Sequence, residues 1–184
     1  SLKILTAEAS SRRYSELEIL RVLVNSLPKY PGHQYVISVL DYFQIRGPNG
    51  SHLCLVSELA GPSVTQMSLA PGQDAGARRL RGDIARRFAR QMTEAVAFLH
   101  AAGIVHGDIS ASNILIKLLR SVHFWNEQQI HQNLGRPIKD EVITSSNEPL
   151  ESSAPHYLVE PANLTNSELL SDEILLNRLR PIIP

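Results

Sequence analysis

Hydrophobic positions along this chain change their spacing several times, and each change marks an element. From Ser11 to Leu27 the apolar residues Leu17, Leu20, Val24 and Leu27 recur at three- and four-residue steps, with Ile19 and Leu23 widening the stripe. That spacing predicts a helix ended by Pro28 and Pro31-Gly32. Ser1 to Thr6 reads as the tail of a strand that begins before the chain does. Tyr35 to Ile45 is rich in β-branched and aromatic residues and predicts a strand. Gly47-Pro48-Asn49-Gly50 is turn chemistry, and His52 to Leu59 predicts the return strand of a hairpin. Gly61 to Gly82 reads as a polar connection. The strongest helix runs from about Asp83 to Ala102, with Ile84, Phe88, Met92, Val96 and Leu99 on one face and Arg86, Arg87 and Arg90 largely off it. Gly103 is a natural C-cap. Ile104 to Ile116 gives a short apolar lead-in, a polar loop and an apolar strand. Lys117 to Asp172 reads as a long insert with one helix near Asn126 to Leu134. Glu173 to Leu176 begins a last strand. No internal repeat is visible.

Composition narrows the classes. The 184 residues suit one domain with a real core, and the 43% hydrophobic content is globular. Lys plus Arg equals Asp plus Glu at 18 each, so no global basic field argues for nucleic acid or an anionic membrane. One cysteine, Cys54, excludes an internal disulfide framework and a cysteine-based zinc site, and its apolar neighbours predict a small core residue. No apolar stretch approaches the roughly 20 residues of a membrane span. The N-terminus has no signal-peptide apolar region, so the default setting is cytoplasmic or nuclear. The arginines from Arg78 to Arg90 read as a solvated helix face. Phe124 and Trp125 in the insert read as local packing.

The candidate chemistry lies in IVHGDISASNILI, residues 104–116. Asp108 follows His106 by two and precedes Asn113 by five, with apolar segments on both sides. Phosphoryl transfer needs a carboxylate to orient the attacking hydroxyl and an oxygen ligand for Mg²⁺ one short loop away. Asp108 and Asn113 have the types and spacing for those jobs. His106 is expected to pack beneath the loop and brace it.

This segment resembles the catalytic loop of eukaryotic-type protein kinases, H-R-D-x-x-x-x-N. The resemblance implies an α+β, two-lobed fold, with Asp108 and Asn113 catalytic and Asn113 holding a metal. It implies that Leu2-Lys3-Ile4 ends the strand bearing the lysine for the α- and β-phosphates of ATP. It assigns Glu18 as the glutamate paired with Lys3, with Glu16 as a rival two residues away. HLCLVSELA, residues 52–60, is similar to the strand leading into the hinge. Ser57 is then the gatekeeper, Glu58 to Ala60 offer backbone groups to adenine, and Leu115 lines the adenine floor. Within that family, LEILRVL, NGSHLCLVSEL, YLVEPANL and LLSDEILL resemble the kinases that phosphorylate serine/arginine-rich splicing factors, in a form common in fungi. The implied cofactors are ATP and Mg²⁺, and the implied partner is an Arg/Ser-rich protein.

The resemblance divides the chain into a partial small lobe (1–60), the start of the large lobe with the catalytic loop (61–116), an insert (117–172), and a shortened strand with an aberrant tail (173–184). A whole kinase domain takes about 250 residues, so the expectation is an incomplete one lacking the glycine-rich loop. Gly107 stands where the family has arginine, and Ser110 where many members have a lysine that touches the γ-phosphate. On this reading Arg178 falls at the position of the second metal-binding aspartate, as after a misread exon boundary. Three other readings follow from these departures: a pseudokinase or interaction module, a small-molecule phosphotransferase of the H-G-D-x-x-x-x-N type, and a chain too short to bury its catalytic helix.

Overall fold

The hairpin forms where the turn chemistry places it. In the computed structural model, residues 1–11, 16–25, 29–69, 81–145, 149–150, 154–165 and 167–177 are described. Strands β1 (Leu2–Ile4), β2 (Val39–Gly47) and β3 (Gly50–Ser57) form an antiparallel sheet in the order β1-β3-β2. Gly47 faces Gly50 across Pro48-Asn49, and Gly50 takes the φ of 122° that a side chain would resist. On the central strand β3, Leu53, Cys54 and Leu55 are buried, which confirms Cys54 as a core residue.

Of the helix expected over Ser11 to Leu27, residues 16–25 are helical, and residues 12–15 and 26–28 lie outside the described residues. A short helix α1 (Ala7–Ser10) comes first, capped by the Thr6 hydroxyl, which accepts from the Ala9 N–H. Helix α2 (Glu16–Asn25) follows, and its buried Leu17, Ile19, Leu20 and Leu23 are the stripe that the spacing predicted. Leu27 and the Val24 side chain lie outside the described residues.

The strand expected from Tyr35 starts later, at Val39. Gly32, at φ 93°, turns the chain into a single 3-10 turn, His33–Tyr35. Tyr35, Val36 and Ile37 are buried, but their backbone is used elsewhere. Val36 bridges in parallel to Leu176, and the Ile37 N–H donates to the Leu176 carbonyl at 3.1 Å. A β-prone run thus stitches the first sheet to a strand that arrives about 140 residues later, a pairing that local propensity does not encode.

The stretch read as a connection carries two elements, β4 (Ala60–Ser63) and α3 (Val64–Leu69), before residues 70–80, which lie outside the described set. Helix α4 (Gly82–Ala101) ends at Gly103, whose φ of 73° and N–H bond to the His100 carbonyl confirm the glycine stop. Strand β5 (Ile114–Leu118) follows. The insert holds α5 (Glu127–Leu134), where Asn126 and Gln129 form a reciprocal capping box, and a small hairpin of β6 (Lys139–Glu141) and β7 (Tyr157–Val159). Trp125 packs on Leu118, Val122 and Leu169, whereas Phe124 is 73% exposed, contrary to the packing expected of it. Strand β8 (Leu170–Leu176) completes a second antiparallel sheet, β4-β5-β8. It begins three residues before the expected start.

One core joins both sheets to α2 and α4. Leu20, Leu23, Tyr35, Leu55, Phe98, Leu99, Ile116, Ile174 and Leu176 all belong to it. The buried stripe of α4 is Phe88, Gln91, Ala95, Phe98 and Leu99, rotated from the expected face, so Val96 is only half-buried. Gln91 is the polar member of that stripe. Its amide donates to the Asp172 carbonyl at 2.9 Å and accepts the Ile174 N–H at 3.0 Å, clasping β8 to the helix. Replacement by Leu would leave the buried Ile174 N–H without its partner, while the carbonyl of the exposed Asp172 can turn to water. Gln91→Leu is therefore expected to cost about 1–3 kcal/mol, the range for one unsatisfied buried group. A lowered urea midpoint at unchanged slope is the expected observation.

Candidate active site at the seam of the two sheets

The loop between α4 and β5 is built around His106, which is 2% exposed. Its Nδ1 accepts the Asp108 N–H at 3.2 Å, and its Nε2 lies 2.9 Å from the Asn177 carbonyl. An acceptor at Nδ1 and a donor at Nε2 together define one neutral tautomer. The histidine therefore braces the loop, as its position in the motif led one to expect. Gly107 sits at φ 74°, where a residue lacking Cβ bends most easily. Asn113, also buried, donates its amide to the Asp108 carbonyl at 2.8 Å, so its Oδ1 is turned to other work. The Asn113 N–H donates to the Ser110 carbonyl at 2.9 Å, closing the loop over residues 108–113. Asp108 itself is half-buried.

Lys3 comes to this seam from β1, the strand opposite Leu55. Its Nζ meets Glu16 Oε2 at 2.5 Å, with the lysine side chain 52% exposed and the glutamate 17%. This corrects the expected pairing with Glu18. Two helical residues subtend about 200°, so Glu18 faces away from the side that Glu16 shares with Leu20. Glu18 is exposed. A cavity of about 30 Å³ lies between the two sheets, lined among others by Lys3, Glu16, Leu55, Ser57 and Asn177. Larger hollows of about 430 and 320 Å³ lie in the insert, around α5, away from these groups.

The register of the second sheet assigns Asn177 its place. Ile114 faces Leu176 and Leu115 faces Leu175, so the next pair outward is Asn113 and Asn177. The Asn177 N–H donates to the Asn113 carbonyl at 2.9 Å. The residue across from Asn113 is therefore Asn177. Arg178 lies outside the described residues. No local signal in the sequence marks Asn177, because its role comes from strand pairing.

The residues assigned to adenine lie at the strand crossover between the sheets. Ser57 ends β3 and donates its hydroxyl to the Glu58 carbonyl at 3.2 Å. Ala60 opens β4 opposite Lys117, and Leu115 sits half-buried on β5 opposite Ser63.

The cavity at the seam, about 30 Å³, has room for little more than a water molecule in this structure. Lys3, paired with Glu16, places a cation at its edge. Toward Mg²⁺, Asp108 offers one carboxylate, and Asn113 and Asn177 offer only neutral amides. Among the described residues, no group of three or more His, Cys, Asp or Glu is placed to hold a metal ion. Mg²⁺ favours carboxylates and phosphate oxygens, so the fit to the metal is incomplete.

Two antiparallel sheets joined by a short crossover, with a lysine–glutamate pair and an Asp-to-Asn loop at their seam, are the features of the protein-kinase type of fold. The chain belongs to the protein kinase domain family, whose model matches residues 3–137. It is similar to the protein kinase dsk1 of Schizosaccharomyces pombe, 34% identical over 63% of this chain and 21% of that protein. It is also similar to the serine/threonine-protein kinase spk-1 of Caenorhabditis elegans, 28% identical over 83% of this chain and 15% of that protein. With the human SRSF protein kinase 3 it shares 28% identity over 55% of this chain and 17% of that protein. The matched region is thus about a fifth or less of each of these three relatives. Among the described residues, no helix is long and apolar enough to cross a membrane.

Proposed function

We propose that this chain carries the nucleotide seam and catalytic loop of a serine/threonine protein kinase acting on hydroxyls of Arg/Ser-rich proteins. The observation that carries the reading is one continuous contact path. Lys3 and Glu16 share a cavity with Asn177, Asn177 is bonded to Asn113 and His106, and both of those hold Asp108. In this reading Lys3 holds the α- and β-phosphates of ATP, and Glu16 orients Lys3. Backbone groups of Glu58 to Ala60 and the Leu115 side chain receive adenine. Asp108 orients the acceptor hydroxyl and takes its proton, and Asn113 presents its Oδ1 toward the phosphates. Mg²⁺, the family's usual companion to ATP, would neutralise phosphate charge when bound. Work on splicing-factor-like substrates implies a cytoplasmic or nuclear setting. The similarity to SRSF protein kinase 3 supports the substrate class.

The test separates binding from transfer. ATP is expected to raise the melting temperature of the purified chain, because a ligand that favours the native state stabilises it. Lys3→Met should abolish that rise. Asp108→Asn should keep the rise but lose at least about 100-fold in phosphate transfer to an Arg/Ser peptide, the usual scale of general-base loss. Transfer to small amino-alcohols in place of the peptide would instead support a small-molecule phosphotransferase.

A further inference from the structure

Asn177 occupies a position that its neighbours define closely. It stands opposite Asn113 in the β5–β8 register, donates its N–H to the Asn113 carbonyl, and accepts from His106 Nε2. It also lines the cavity that holds the Lys3–Glu16 pair. A residue so placed is at the meeting point of the phosphate cation and the catalytic loop. A carboxylate there would stand at the cavity of the Lys3–Glu16 pair and would add an anionic oxygen donor to the seam besides Glu16 and Asp108. The amide keeps the shape of that carboxylate and removes its charge.

We propose that Asn177 sets the response of this site to divalent cations, making nucleotide capture by this chain depend on Lys3 and only weakly on metal. The proposal rests on the nucleotide-binding reading above and deepens it. The physical reason is the charge on the ligands. A small hard dication is held by carboxylate and phosphate oxygens, and a neutral amide oxygen contributes far less attraction. Lys3 already carries one positive charge into this cavity. The one carboxylate lining the cavity, Glu16, is already paired with Lys3, so a dication finds no uncommitted carboxylate among the lining residues. Phosphate capture by Lys3 needs no such ligand. The same geometry predicts that restoring the charge restores the metal site, because Asp is isosteric with Asn and every backbone bond of residue 177 is kept.

The experiment uses the full 184-residue chain and its Asn177→Asp and Lys3→Met variants. Melting is followed with ATP in EDTA and with ATP plus Mg²⁺, and Mn²⁺ binding in the presence of ATP is read from loss of the free-ion electron paramagnetic resonance signal. For the unchanged chain, the ATP-induced rise should be the same with or without Mg²⁺. For Asn177→Asp, the rise should grow with Mg²⁺, and Mn²⁺ should bind on the order of tenfold more tightly or better. Equal Mn²⁺ affinity in the two proteins, with the ATP rise intact and lost in Lys3→Met, would overturn the role of Asn177 and leave the nucleotide reading standing. A strong Mg²⁺ dependence in the unchanged chain would also overturn it. No ATP response in either the unchanged chain or Asn177→Asp would remove both readings. The ligand-free melting temperature of Asn177→Asp, expected within a few degrees of the unchanged chain, checks that the variant folds.

Discussion

Gly32→Ala is expected to destabilise this chain by about 3 kcal/mol or more, as much as a severe core mutation. Two independent costs add there. The backbone sits at φ 93°, a conformation that costs a residue with Cβ roughly 1–2 kcal/mol. A Cβ would also lie 1.9 Å from the Glu94 carbonyl oxygen and 2.9 Å from the Ala95 nitrogen. Both belong to the backbone of α4 and cannot move aside as a flexible side chain would. Either the turn before His33 must lift off the helix or the helix must bend. Urea unfolding of the two proteins measures the difference. Gly82→Ala is the internal control. It lies in the first turn of α4 with nothing within 4 Å of the added Cβ, so the change should be neutral or gain a few tenths of a kcal/mol. Equal stability of Gly32→Ala and the unchanged chain would show that the turn does not press on α4.

Phe98→Ala is expected to cost about 3–5 kcal/mol, the range for emptying a buried aromatic site. The ring is completely buried. It meets His33 edge-on at 5.1 Å between ring centres and Tyr30 at 6.1 Å. Its removal leaves a void between α4 and the turn that precedes Val36. That void lies behind the stitch of Val36 and Ile37 to Leu176, the residue before Asn177. The loss should therefore appear twice, as lower global stability and as a smaller ATP-induced rise in melting temperature. Phe98→Leu, which keeps most of the volume, should recover most of both. Because Gly32 and Phe98 act on one seam, their double variant should lose less than the sum of the two, unlike a pair of distant sites.

The parts of the site that rest on local chemistry were legible before any coordinates. His106, Asp108 and Asn113 lie within eight residues, and a loop that short brings its own members together. The hairpin was legible because two glycines flank Pro48-Asn49. The glycine stop at Gly103 is likewise a local signal. Lys3 was placed by its β-type neighbours, but its partner was not. Glu16 and Glu18 are the same residue type two positions apart, and only the orientation of α2 against the sheet decides which carboxylate reaches the lysine. Gln91 hides for a similar reason. A polar residue on an amphipathic helix reads as surface unless a distant strand brings backbone groups to it.

The sequence by itself determined the stripe of α2, the turn, the loop over 104–116 and the protein-kinase family, because those depend on residue type and short spacing. The tertiary structure alone decided three things: that Glu16 holds Lys3, that Val36 and Ile37 bond to β8 rather than extend the hairpin, and that Asn177 stands across from Asn113. Each depends on segments far apart in the chain meeting in one register. A shift of a single residue in that register would turn a different side chain to the seam.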